Sequence, residues 1–379
     1  MSQTSTTTAK EFAKSRRGPI LGAIFLMATS AIGPGFITQT ATFTAQLGAA
    51  FAFAILVSVL IVIGGLAFNI GNIAGGGLGL NALLGIDPKI GGAITALLAI
   101  GIFLFRKAGP VVDAVVMVLG VVMIVMTVIV AVISAPPIGE ALKQTFVPDT
   151  LNFATITTIV GGTVGGYITY AGAHRYLDSG LTGPEHVTSV HRASFTGILV
   201  TGVMRYVLFL AILGVVASGV VLDTSTSAAN PAGQAFGAVL GTAGLRIFGL
   251  IFWAAALTSV IGAAYTSATF ISTFSKKLAT GRPLQWATVV FIVFSLLVYV
   301  AIGAAPAAIL VFVGGFNGLI LPIGMTIFMY IGVFRQKDIL GGYQYPVWLL
   351  VVGILATALS WYMGINSVGP IFKFIGIGA

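Results

Sequence analysis

The residues best placed to do chemistry in this chain are glycines, not acids or bases. Gly33-Pro34-Gly35 interrupts an apolar run over residues 19–40, and Gly161-Gly162-Thr163-Val164-Gly165-Gly166 interrupts a second over 153–173. Glycine and proline open the helical hydrogen-bond ladder. The N–H and C=O groups so freed are tolerated at bilayer depth only where protein or a polar cavity satisfies them. The two breaks lie roughly 130 residues apart, each in the first long apolar segment of one half of the chain, and such a pair points to a solute site between two inverted repeats. The half-helix beyond each break turns free N–H groups and its positive dipole end into the cavity. Thr38, Gln39, Thr163, Tyr167 and Thr169 add hydroxyls and an amide. A pocket around 35–39 and 165–169 is then neutral to slightly positive, which suits a small organic acid, amino acid or lactam better than a bare dication.

Other polar residues carry two readings each. Asn69, Asn72 and Asn81 mark one apolar region and Asn317 another; such amides tie membrane helices together as well as touching solutes. His174 and Asp178 stand at i and i+4, so they face each other on a helix. Such a histidine is a proton carrier for coupled transport, or, beside Arg175, part of a charged helix end at the membrane surface. Arg205 lies within an apolar segment and needs a partner or water, with Asp113 one candidate partner. The chain has no cysteine and three histidines, and no metalloprotease, nucleophile-elbow or phosphate-loop motif. No catalytic role, cofactor or protein metal site is expected.

The elements that must position these groups are membrane helices. With 58% hydrophobic and 7% charged residues and a mean hydropathy of +1.08, the chain is far from a soluble domain, which carries about 25% charged residues. It reads as an all-α integral membrane protein whose partner is the lipid bilayer. The net charge of +9 comes from scattered basic residues between apolar runs, which argues for topology and against nucleic acid. Residues 1–17 read as a short cytoplasmic tail rather than a signal peptide, because a glycine break and many spans follow at once. Residues 18–379 read as one transmembrane domain, with repeats over roughly 18–135 and 153–333 and an extra helix over 345–367.

Ten apolar segments follow, at about 19–40, 47–86, 91–105, 109–135, 153–174, 193–221, 244–275, 285–304, 306–333 and 345–367. With the tail inside and one crossing each, Arg106, Lys107, Arg175, Arg192, Lys276, Lys277, Arg282, Arg335 and Lys337 fall outside, against the positive-inside rule. Letting 47–86 cross twice brings all nine into the cytoplasm and gives eleven crossings. Forty residues are barely enough for that, at about 1.5 Å per residue through a core of about 30 Å. The only reversal available is Asn69-Gly71-Asn72. Either the segment is a tight hairpin or part of a span is missing.

Several stretches resemble the NRAMP (natural resistance-associated macrophage protein) family of divalent-metal transporters. They are Met27-Ala28-Thr29-Ser30-Ala31-Ile32-Gly33-Pro34-Gly35-Phe36, Gly161-Gly162-Thr163-Val164, Ile247-Phe248-Gly249-Leu250 through Thr258-Ser259 to Gly262, and Leu321-Pro322. The resemblance implies a LeuT-type inverted-repeat fold of about 10–11 transmembrane helices, with helices one and six broken, in a cytoplasmic membrane. It implies metal-ion transport, possible proton coupling, and a join near Leu60-Ile61 where about forty residues of spans two and three are missing. It also shows what has been replaced. The family's Asp-Pro-Gly-Asn reads Gly33, Pro34, Gly35 and Phe36 here, and its Met-Pro-His reads Gly165, Gly166 and Tyr167. The unwinding residues remain without the ligand side chains. The expected solute-binding residues are Gly33, Pro34, Gly35, Phe36, Gln39, Gly162, Gly165, Gly166, Tyr167 and Asn317. Metal-ion transport, uptake of a small organic solute, and a non-transporting sensor or defunct transporter are the readings to separate.

Overall fold

The computed structural model describes residues 51–105, 109–164, 186–223, 230–271, 281–303, 306–337, 340 and 343–373. Among them are ten helices and no strand: α1 (Phe51–Leu84), α2 (Pro88–Leu104), α3 (Gly109–Ile133), α4 (Ile138–Phe146), α5 (Phe153–Val164), α6 (Val187–Ala217), α7 (Pro231–Ile271), α8 (Gly281–Ile302), α9 (Pro306–Phe334) and α10 (Val347–Lys373). Six helices are long and apolar enough to cross a membrane, α3 with α4 forms a bent pair, and α2 and α5 are shorter apolar helices.

Of the two alternatives for 47–86, a tight hairpin or a missing part of a span, the hairpin does not form. Residues 51–84 form one continuous helix of 34 residues, about 51 Å at 1.5 Å per residue, against about 30 Å of hydrocarbon. The Asn69-Gly71-Asn72 stretch does not reverse. Its residues alternate with Ile70 and Ile73, which are buried in the core, and no run of turn formers breaks the apolar face. The helix stops where the turn chemistry sits: Gly85 takes φ +74°, a conformation that suits glycine, and Asn81 Nδ2 donates to the Ile86 carbonyl at 2.9 Å. Asp87 then caps α2, accepting from the N–H groups of Lys89 (2.9 Å) and Ile90 (3.4 Å), with Pro88 at the first helical position.

α1 runs antiparallel to α7 and lies along it more extensively than any other pair. A Cβ on Gly79 would stand 2.6 Å from the Trp253 backbone nitrogen, and one on Gly249 would stand 2.6 Å from that of Leu83. Small residues permit this approach of backbones, the usual basis of helix association in lipid. Side-chain hydrogen bonds tie the same core: Asn69 Nδ2 donates to Ser295 Oγ (3.0 Å), Trp253 Nε1 to Thr95 Oγ1 (3.0 Å) and Tyr299 Oη to the Pro88 carbonyl (3.1 Å). Asn69 therefore links α1 to α8, the helix-tying reading of that residue. Two apolar cores result, one among α1, α2, α7, α8 and α9, the other among α3, α6 and α7.

Two further boundaries differ from the sequence reading. α7 begins at Pro231 because a short helix joins the span across Gly241, at φ +66° and ψ −163°. α4 lies between the apolar runs 109–135 and 153–174 and corresponds to neither. Arg205 is exposed on α6 and does not line the packed interior; the Asp113 side chain lies outside the described residues.

Candidate functional site

Most of the expected site falls outside the described residues: Gly33, Pro34, Gly35, Phe36, Gln39, Gly165, Gly166 and Tyr167, with His174 and Asp178. Gly162 and Asn317 fall inside, on α5 and α9, and the structure brings these two helices together. Of the expected second break, Gly161, Gly162, Thr163 and Val164 continue α5 as helix, and Gly165 and Gly166 lie outside the described residues. Asn152 Oδ1 caps the start of α5 by accepting from the Thr155 N–H at 3.0 Å.

Glycine sets the α5–α9 contact. A Cβ on Gly161 would stand 2.0 Å from the Gly314 carbonyl oxygen and 2.1 Å from the Gly318 nitrogen, and one on Gly318 would stand 2.2 Å from the Thr157 carbonyl oxygen. Gly162 is looser, its nearest neighbour being the Gly314 Cα at 3.8 Å. Thr157 and Ser367 share a buried hydrogen bond of 2.9 Å that ties α5 to α10.

Asn317 sits at this junction. At 100° per residue it projects between the Gly314–Gly318 face toward α5 and the Val313 face, which meets Gly71 of α1. It is 1% exposed, and neither its Nδ2 nor its Oδ1 has a hydrogen-bond partner. A wholly buried amide left unpartnered costs about 1–3 kcal/mol, so it stands out among the buried polar groups. One residue on, the Gly318 carbonyl lacks its helical donor, because Pro322 at i+4 inside α9 has no N–H. An amide donor, an amide acceptor and a carbonyl thus lie beside the point where α5 approaches its break.

Asn72 Nδ2 and Ser267 Oγ are also buried without partners, and so is the Asn69 Oδ1 that the Ser295 bond does not use. Ser267 was missed from sequence. It faces α1, its Oγ 2.1 Å from where a Gly65 Cβ would stand, and one serine among the small residues of α7 carries no distinguishing pattern. Asn81 is a turn residue, as its bond to Ile86 shows. Among the described residues no group of three or more His, Cys, Asp or Glu could hold a metal ion.

Residues 25–369 match the family described as natural resistance-associated macrophage protein-like. The chain is 47% identical to the uncharacterized membrane protein YcsG of Bacillus subtilis, over 92% of this chain and 93% of that one. It is 45% identical to an uncharacterized membrane protein of Haemophilus influenzae, over 89% and 92%. The Bacillus alignment spans 386 residues, more than the 379 of this whole chain, so that relative carries residues with no counterpart here. Crystal structures of the Eremococcus coleocola manganese transporter, in mutant forms and with an aromatic bis-isothiourea compound, share the fold. Their TM-score is 0.65 at 18% identity, over 95% of this chain and 80% of theirs. A multi-pass helical protein with this fold and this span of family match belongs to the NRAMP-like family.

Proposed function

We propose that this chain is a secondary transporter working by alternating access about its two broken helices, and that its cargo is a small polar organic solute. The observation that carries the reading is Asn317. An amide with both donor and acceptor free complements a solute that offers both, such as a carboxylic acid, an amino acid or a lactam. A bare cation would use Oδ1 alone and leave the Nδ2 donors without a partner.

The family resemblance and the name of the Eremococcus transporter favour a divalent metal ion instead. The residue chemistry weighs against it. A dehydrated dication takes several oxygens, normally with carboxylates, and transition metals favour imidazole or sulfur. The positions where the family's ligands fall are Gly33, Phe36, Gly165 and Tyr167 here. A fold hosts more than one cargo, and the site decides between them. Gly33, Pro34, Gly35, Phe36, Gln39, Gly162, Gly165, Gly166 and Tyr167 join Asn317 as the proposed site, with His174 and Asp178 as the candidates for proton coupling.

The proposed location is the cytoplasmic membrane, with the nine basic residues from Arg106 to Lys337 inside. The repeats over 18–135 and 153–333 are the proposed units of the alternating motion.

The test is uptake into proteoliposomes of labelled small carboxylates, amino acids and lactams. Saturable uptake of one of them, weakened by Asn317→Leu, is expected. No uptake of any of them by folded protein would overturn the reading in favour of a non-transporting sensor.

A further inference from the structure

The geometry points to α4 as a membrane-surface helix, and we propose that it binds the headgroup–acyl boundary of the charge-poor leaflet, the one opposite the nine basic residues. α4 follows α3 after a break of four residues and bends by 109° from it. It therefore crosses the end of a spanning helix nearly at right angles. Over its nine residues the excess beyond 90° returns it toward the bilayer by about 4 Å.

Side-chain bonds fix the depth. Ser134, just past α3, donates from Oγ to the Ala211 carbonyl of α6 at 3.2 Å. Thr145, near the far end of α4, shares a 3.0 Å hydrogen bond with Tyr206 Oη. Tyr206 lies five residues before Ala211 on α6, about 7.5 Å lower along that helix. α4 thus dips inward from the end of α3, and its polar tether is a tyrosine, a residue enriched at membrane–water interfaces.

The nine residues divide into three sectors. Ala141 is 3% exposed and shares with Thr145 the sector toward the bundle. Ile138, Leu142 and Phe146, at i, i+4 and i+8, form the next sector and are 54%, 49% and 82% exposed. Gly139, Glu140, Lys143 and Gln144 occupy the remainder, with a Lys143–Glu140 ion pair at 4.0 Å and a Gln144 Nε2 to Glu140 Oε1 bond at 2.8 Å. A helix with one bundle side, one apolar side and one charged side suits an interface with lipid below and water above. The apolar sector continues the exposed strip of α3 that includes Val128, Val132 and Ile133, which faces lipid along the span. Because α4 leads directly into α5, this contact would hold the outer end of the broken helix at a fixed depth.

The chain has no cysteine, so single cysteines carry spin labels without background. Ile138→Cys, Leu142→Cys, Phe146→Cys, Glu140→Cys, Lys143→Cys and Gln144→Cys, each in the full chain, are labelled in phosphatidylcholine–phosphatidylglycerol liposomes. Collision rates are measured with oxygen and with a water-soluble nickel chelate. Labels at 138, 142 and 146 should meet oxygen preferentially, with a depth just below the headgroups, and labels at 140, 143 and 144 should meet the chelate preferentially. Equal chelate access at all six positions would overturn the proposal, since it places α4 in water. Immobilised spectra at 138, 142 and 146 would also overturn it, because protein would then cover that sector.

Discussion

Gly161 and Gly162 are neighbours in sequence with opposite packing, so a pair of alanine substitutions tests the α5–α9 junction with its own control. In Gly161→Ala the new methyl would stand 2.0 and 2.1 Å from two backbone atoms of α9. Ordinary contact begins near 3.4 Å, so about 1.4 Å of separation is needed. Neither atom is the end of a flexible side chain, so α9 must shift as a body. Overpacking of this kind costs about 1–3 kcal/mol. In Gly162→Ala the nearest atom is at 3.8 Å, ordinary contact, and the gain in helix propensity is about 1 kcal/mol at most. Equilibrium unfolding in mixed detergent micelles reads both. Gly161→Ala should unfold at lower denaturing detergent, by the equivalent of about 1–3 kcal/mol, and Gly162→Ala should unfold at or above the wild-type midpoint. Equal midpoints for both variants would refute the claim that backbone contact at Gly161 sets this junction.

Three further outcomes follow from the same structure. Asn317→Leu should leave the unfolding midpoint unchanged or raised, because the amide has no partner to lose, while solute uptake falls; a loss of stability would make Asn317 a structural amide. Thr157→Val removes the buried bond to Ser367 and should cost about 0.6 kcal/mol, the average for interhelical bonds in membranes, and at most about 1.7 kcal/mol; a silent change would show that α10 does not hold α5 through this bond. A cysteine replacing Ser275 should react with an impermeant maleimide only from the cytoplasmic side, as the positive-inside rule requires for its neighbours Lys276 and Lys277; labelling from outside would invert the proposed orientation.

The long helices were legible because a span needs about 20 apolar residues, and α3, α8 and α9 start and stop within a few residues of the apolar runs. The single course of α1 follows from its local turn chemistry, to which the charge count is blind. Gly85-Ile86-Asp87-Pro88 is a strong stop and start signal, whereas Asn69, Gly71 and Asn72 are set among the core residues Ile70 and Ile73. The parity count left a hairpin and a missing part of a span as alternatives, and the Bacillus relative carries residues with no counterpart here. α4 escaped because nine residues with Glu140 and Lys143 are too short and too charged for a span, and Pro136-Pro137 reads as loop. Its signal was the spacing of Ile138, Leu142 and Phe146. The asparagines carried two readings in sequence because burial and partners are tertiary facts: Asn69 has Ser295, Asn81 has the Ile86 carbonyl, and Asn317 has no partner for its Nδ2 or its Oδ1.

The claim that matters most is that the family's fold is kept here for a cargo other than a metal ion, and Mn²⁺ influx tests it most directly. Proteoliposomes carrying the full chain and an entrapped Mn²⁺-quenched dye should show only the protein-free leak rate, with or without a proton gradient. Saturable quenching that a bulky substitution at Gly166 abolishes would contradict the account and make this chain a metal transporter.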